Sequence, residues 1–324
     1  MDAVFLTVLV TLVIAATGIH AAFARALSNA RSRLAARSKT METSFGTLEY
    51  AVIGDGEPVL IIHGAGGGFD QAIDIGGSLA GRGYRLIAPS RFGYLGSTLP
   101  GNLTAAMQAD AYRDLFDHLG VGKAFVIAIS AGARSALQFA IRHPERCRAL
   151  ALLVPADHLP RQIRNRGGAF VWAVCRSDFI AWAGLKLMPG VMTRIMLATD
   201  PALVCAAGPS EKARVQQVLD HFLPVSARSG GMQSDIRTGA TPGPDPIERI
   251  ACPVLAISAE DDAFGTASRA KYIASSVLNG RAVIYPTGGH ALVARYGDTL
   301  GEITSFLGSA RPADPPAERS GGKM

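Results

Sequence analysis

Apolar residues in this chain fall into two patterns that take turns. Short unbroken apolar runs occur at 58–63 (PVLIIH), 84–89 (YRLIAP), 124–129 (AFVIAI), 149–154 (ALALLV), 253–258 (PVLAIS) and 281–285 (RAVIY). Between them, segments 71–80, 104–119, 131–143, 266–277 and 291–306 repeat their apolar residues at helical spacing, the second opening on Thr104 as a capping residue. Unbroken apolar strands are buried on both faces, and their alternation with helices predicts βαβ units around a mainly parallel sheet. Residues 44–53 predict two further short strands at its start.

The rhythm breaks after Pro155. Residues 156–250 show helical segments containing Trp172, Phe179, Trp182, Leu185, Met188, Met192 and Met196, and no strand pattern until 253. A helical block between two sheet strands reads as an inserted cap. Residues 309–324 (SARPADPPAERSGGKM) are polar and Pro-rich, the composition of a disordered tail.

The N-terminus follows neither pattern. Residues 3–24 are uncharged, and 22 residues of helix reach ~33 Å, enough for a bilayer core. A cleaved signal peptide is the alternative, but it calls for a basic segment before the apolar run; here Asp2 precedes the run and the arginines follow it. The sequence thus predicts a membrane anchor over 1–26, a basic linker over 27–43, a catalytic domain over 44–308 with its cap at 156–250, and the tail. The Lys/Arg bias places that domain in the cytoplasm, with export after signal cleavage as the competing topology.

Composition changes this picture only once. Of 324 residues, 48% are hydrophobic and 18% charged, and the formal charge is +6. Arg25, Arg31, Arg33, Arg37 and Lys39 against Asp2 put +5 − 1 = +4 into residues 1–40, leaving +6 − 4 = +2 elsewhere. The basicity therefore belongs to the anchor's flank, and no nucleic-acid partner is expected. Cys147, Cys175, Cys205 and Cys252 have neither disulfide-framework nor metal-ligand spacing, and no metal or cofactor motif is present.

Candidate chemistry sits where the strands end, which is where open parallel sheets carry their sites. Ser130 follows 124–129 and precedes a helix, in Ala128-Ile129-Ser130-Ala131-Gly132, with small residues two positions to either side. Asp262 lies just beyond 253–258 and His290 just beyond 281–285. A hydroxyl needs a base to become a nucleophile, and the base needs a carboxylate to orient it. Singly, Ser130 reads as a helix cap, Asp262 as a turn acid with Asp261 and Glu260 as competitors, and His290 as a loop histidine. Together, in the order serine, acid, histidine, they predict a nucleophile, an orienting acid and a base.

With these motifs, residues 44–308 resemble the α/β-hydrolase superfamily, in the serine-nucleophile branch with an HG-x-x-G loop and a helical cap. The elbow departs from G-x-S-x-G only at Ala128. The resemblance implies an oxyanion hole formed by the backbone N–H of Ala131 and one from the loop opened by His63-Gly64, either Ala65 or Gly66, with His63 stabilising the loop. It also makes 89–94 (PSRFGY) a pocket wall, with no chemistry expected of Arg91. The implied activity is hydrolysis of a carboxylic ester, lactone or thioester through an acyl-enzyme. The same three residues also suit carbon–carbon bond hydrolysis, aminopeptidase or cofactor-free peroxidase chemistry, and a non-catalytic membrane-tethered scaffold is the reading from another class. The expected partner is a small molecule with an apolar acyl or alkyl group; oligomeric state is not legible.

Overall fold

Strands β1 (Lys39–Thr43), β2 (Gly46–Ile53), β3 (Glu57–Ile62), β4 (Tyr84–Pro89), β5 (Ala124–Ile129), β6 (Cys147–Leu153), β7 (Val254–Ala259) and β8 (Gly280–Tyr285) form one sheet in the order β1-β2-β4-β3-β5-β6-β7-β8. The computed structural model describes residues 3–35, 37–156, 173–239 and 246–310. From β4 to β8 every pairing is parallel, while β1–β2 and β2–β4 are antiparallel. The unbroken apolar runs have the expected consequence: every residue of β5 and β7 is buried.

Helices α2 (Phe69–Ala80), α3 (Ala105–Leu119), α4 (Ala133–Arg142), α10 (Thr266–Ser276) and α11 (Tyr296–Ser309) cover the sheet. Thr104 caps α3 by accepting the Met107 N–H, as its position predicts. Side chains divide by strand alternation into two apolar clusters. One contains Leu60, Val126 and Leu150 with Tyr112, Phe116 and Phe139; the other contains Ile61, Ile127 and Leu255 with Phe69, Ile303 and Phe306. Each such side chain contributes about 1.5–3 kcal/mol by leaving water.

Between β6 and β7 the cap supplies α5 (Asp178–Leu187), α6 (Pro189–Leu197), α7 (Pro201–Ala206), α8 (Pro209–Asp220) and α9 (Ser229–Gly239). Its own core joins Val174, Leu185, Met192, Leu219, Phe222 and Val225 with two outsiders, Ala30 from the N-terminal helix and Val293 from the loop after β8. Trp172, His158 and the tail from 311 lie outside the described residues.

The N-terminal helix α1 runs from Ala3 to Leu34 without a break. This corrects the expected linker: residues 27–34 are helix and 39–43 are β1, so the sheet begins before residue 44. The reason is a docked face, Phe23, Ala26, Leu27, Ala30, Arg33 and Leu34, spaced at three, four and seven residues and partly or fully buried, while residues 3–22 are exposed. A second difference lies at the other end, where 291–295, expected as helix, form a loop with left-handed Leu292 and Ala294 (φ 49° and 59°) before α11.

Candidate active site

Ser130 stands on the turn between β5 and α4 with φ 50°. A left-handed backbone at a non-glycine residue costs on the order of 1–3 kcal/mol and persists only where the surroundings fix it. They do so here by crowding. A Cβ on Gly132 would lie 2.5 Å from the His63 carbonyl oxygen, and one on Gly64 would lie 3.0 Å from Ser130 Cβ. Ala128, on the other side of the elbow, is fully buried, so the smallest side chain is what that position accepts.

Ser130 Oγ lies 2.8 Å from His290 Nε2, and His290 Nδ1 lies 2.8 Å from Asp262 Oδ2. The structure thus brings together three residues separated by up to 160 positions. Asp262 also accepts the Phe264 N–H at 2.8 Å and the Thr266 hydroxyl. Burial opposes ionisation of this carboxyl, but the imidazole of His290 and these donors outweigh it and hold its pKa below the ordinary value. Asp261 faces elsewhere: its carboxylate accepts the N–H groups of Gly288 and Gly289, tying the acid loop to the histidine loop. Glu260 pairs with Lys271 at the surface. Phe264 closes edge-on against the His290 ring at 4.8 Å.

The glycine-rich loop 63–68 is braced from behind. His63 is fully buried, its Nδ1–H donating to the Gly64 carbonyl at 2.7 Å and its Nε2 accepting the Arg91 N–H at 2.8 Å. Burial first, and then the positive charge of Arg91, push its pKa well below that of a free imidazole, so it is neutral. It is a staple between two loops. Gly64 N–H is occupied by Gln71 Oε1 at 2.9 Å. Ala65 is exposed beside the site, and Ala131 is partly exposed.

Several residues that hold the site carried no signal in the sequence. Arg91, in the expected pocket wall and with no chemistry expected of it, forms a two-pronged bond to Asp235 of α9, both arms at 2.7 Å, with the Tyr94 hydroxyl donating to the same carboxylate. Arg228, with no exposed surface, grips Asp70 at the start of α2 at 2.7 and 3.1 Å. Arg33 of α1 adds a second charge to Asp70 at 3.6 Å and donates to the Leu223 carbonyl at 2.8 Å. Thr199 of the cap accepts the Ala291 N–H at 3.0 Å, and Arg214 donates to the Ala291 carbonyl at 2.8 Å. Cap and core are therefore joined by buried charge pairs and by bonds to the histidine loop. Of the remaining described histidines, His118 meets Tyr50, His143 meets Asp110 and His221 meets Asp74.

Comparisons with known proteins agree with this architecture. The family model for the alpha/beta hydrolase fold matches residues 57–176. An uncharacterized hydrolase, YcgS, from Bacillus subtilis (strain 168) is 28% identical over 266 residues, covering 79% of this chain and 92% of that protein. Among solved structures, an alpha/beta hydrolase fold protein from Nakamurella multipartita superposes with a TM-score of 0.69 at 25% identity, over 83% of this chain and 98% of that one. A membrane phospholipase A described as a bacterial virulence factor shares the fold with a TM-score of 0.65 at 22% identity, over 97% of this chain and 100% of that one.

Proposed function

Because this chain belongs to the α/β-hydrolase superfamily and is a hydrolase, we propose that it cleaves a carboxylic ester, lactone or thioester through an acyl-enzyme on Ser130, with His290 as base and Asp262 as orienting acid. The observation that carries this reading is the unbroken hydrogen-bonded line from Ser130 Oγ through His290 to Asp262, 2.8 Å at each step.

In the first half-reaction Ser130 Oγ attacks the carbonyl carbon while its proton passes to His290 Nε2. The imidazolium that forms is stabilised by Asp262, which is already ionised. The substrate's carbonyl oxygen takes up the negative charge and is held by the backbone N–H groups of Ala131 and Ala65. Ala65 is preferred to Gly66, because Ala65 is open to the site while Gly66 is buried. Collapse expels the alcohol or thiol, protonated by His290, and leaves the acyl group on Ser130. Water then attacks that acyl carbon as its proton passes to His290; the bond to Ser130 Oγ breaks, His290 returns the proton to Oγ, and the acid is released.

The chain is also read as membrane-anchored through residues 3–24, whose apolar side chains are exposed from 3 to 22. Arg25, Arg31 and Arg37, which face solvent just after it, favour a cytoplasmic catalytic domain. The apolar cap favours an acyl or alkyl group on the substrate.

A fluorophosphonate probe tests the central claim. The wild type is expected to be labelled at Ser130 and Ser130→Ala not at all. Labelling of Ser130→Ala to the same extent as wild type sinks the assignment. A panel of esters, a thioester, a peptide amide and a carbon–carbon substrate then assigns the bond cleaved.

A further inference from the structure

We propose that the outer face of α5 and the corner leading into α6, Phe179, Leu187, Met188 and Val191, is a lipid-contact surface that rests in the headgroup region of the bilayer crossed by α1. This rests on the reading of residues 3–24 as a membrane anchor.

These side chains are large, apolar and open to solvent, at 46%, 79%, 41% and 45% exposure. Phe179, Ala183, Lys186 and Leu187 recur at helical spacing on one side of α5, opposite the buried Ala181, Gly184 and Leu185. A soluble domain has no reason to line up such residues at one corner.

Their place along α1 identifies the occupant. Phe23, at the end of the uncharged run, packs edge-on against Phe179 at 5.3 Å and against Trp182 at 5.7 Å. Twenty residues of helix separate Phe23 from Ala3, a rise of ~30 Å, the thickness of the hydrocarbon layer. When residues 3–22 fill that layer, α5 is thus held at its boundary, where aromatic side chains of membrane proteins collect. The docking is not loose. From Phe23 to Leu34 one side of α1 is buried, with Ala30 in the cap core and Arg33 bonded to Leu223 and Asp70, so the cap cannot swing away from the plane at which α1 emerges.

The charges around the patch match a lipid surface with anionic headgroups. Arg25, Arg176, Lys186 and Arg194 are exposed around it, the last at 3.5 Å from Asp200. Asp178, next to Phe179 in the chain, is engaged by Ser226, whose N–H and hydroxyl it accepts. Long basic side chains beside exposed apolar ones are the composition of surfaces that lie in the interface.

The test uses the full chain reconstituted in vesicles of phosphatidylcholine and phosphatidylglycerol carrying a diazirine-labelled phospholipid, with adducts mapped by mass spectrometry. Adducts are expected in two places, residues 3–24 and residues 179–191. The variant Leu187→Glu/Val191→Glu, altered only at exposed positions, is expected to lose roughly fivefold or more of the second set. It should keep the first set, its thermal midpoint and its turnover of a soluble short-chain ester. Adducts confined to 3–24 in the wild type would overturn the lipid contact and leave the anchor standing. Release of the full chain by carbonate, with no adducts on 3–24, would refute the anchor itself and the proposal with it. Crosslinks between two copies through 187–191 would replace the lipid by a second chain and equally overturn it.

Discussion

Thr199 Oγ1 accepts the backbone N–H of Ala291 at 3.0 Å, so a buried hydroxyl of the cap holds the residue that follows His290. The same corner supplies the Ala198 carbonyl to the Ala263 N–H, next to Asp262. Replacing Thr199 by Val keeps the shape and removes the acceptor, leaving a buried N–H unpaired. We expect a loss of about 1–3 kcal/mol in stability, and kcat to fall about tenfold with KM little changed. Urea titration and steady-state kinetics on one ester check both numbers.

Asp261 and Asp262 are neighbours with opposite duties, since only Asp262 reaches His290 Nδ1, while Asp261 binds the N–H groups of Gly288 and Gly289. Asp262→Asn is expected to lower kcat on the order of 10³-fold or more, because the amide favours the wrong imidazole tautomer. Asp261→Asn keeps one acceptor for the loop and should cost about tenfold or less. The reverse ranking in a kinetic comparison would move the orienting role to Asp261.

Acidification should weaken the fold in two stages. Neutral His63 has its folded pKa well below the free value, so its contribution is complete above about pH 6.5 and drains away as pH falls toward the folded value. Asp70 and Asp262 are shifted below the ordinary carboxyl value despite burial, by Arg228 and by His290 respectively. Their contribution is present above about pH 3.9 and is lost only as pH drops through the depressed values. Denaturant midpoints at about pH 7.5 and about pH 5.5 should therefore differ in the wild type and differ less in His63→Gln, which has no titrating group there.

Arg91 and Asp235 form a two-pronged pair between core and cap, both largely buried. Asp235→Asn leaves the Arg91 charge without a partner and should cost about 3–5 kcal/mol. The double variant Arg91→Met/Asp235→Leu removes the charges together and should recover most of that loss. A double-mutant cycle by thermal unfolding gives the coupling directly, and additive losses would mean that the pair does not hold the cap.

Truncation separates the two parts of α1. Removing residues 1–22 takes away only exposed helix, and the remaining protein should stay folded, with Ser130 still labelled by the probe. Removing 1–40 also deletes Ala30 and Leu34 from their apolar contacts, the Arg33 bonds and the first residues of β1, and should lower the thermal midpoint by several degrees. Equal midpoints for the two truncations would contradict the docked face.

The sheet was legible because its strands are unbroken apolar runs: 84–89 and 124–129 match β4 and β5 residue for residue, and the other runs agree with their strands to within two residues at either end. Ser130, Asp262 and His290 were legible because each follows such a run. The docked half of α1 was not, since its buried face continues the apolar run without a break in pattern and its arginines look like a solvated flank. Nor were the charge pairs, because Asp70 meets Arg228 across 158 positions and Arg91 meets Asp235 across 144, a pairing that no local pattern carries. The loop 291–295 was read as helix because its apolar residues have helical spacing; the left-handed turns at Leu292 and Ala294 serve instead to bring Val293 into the cap core.

The order of these pieces along the chain has a consequence during synthesis. The elbow serine is made at position 130, the carboxylate at 262 and the imidazole at 290, after the whole cap. At about 5–20 residues per second, a nascent chain therefore carries its hydroxyl for roughly 8–30 s before any base exists to activate it. Throughout that interval the leading apolar helix has already left the ribosome. On the proposed roles of Ser130, Asp262 and His290, the polypeptide is inert as a hydrolase until His290 has been made.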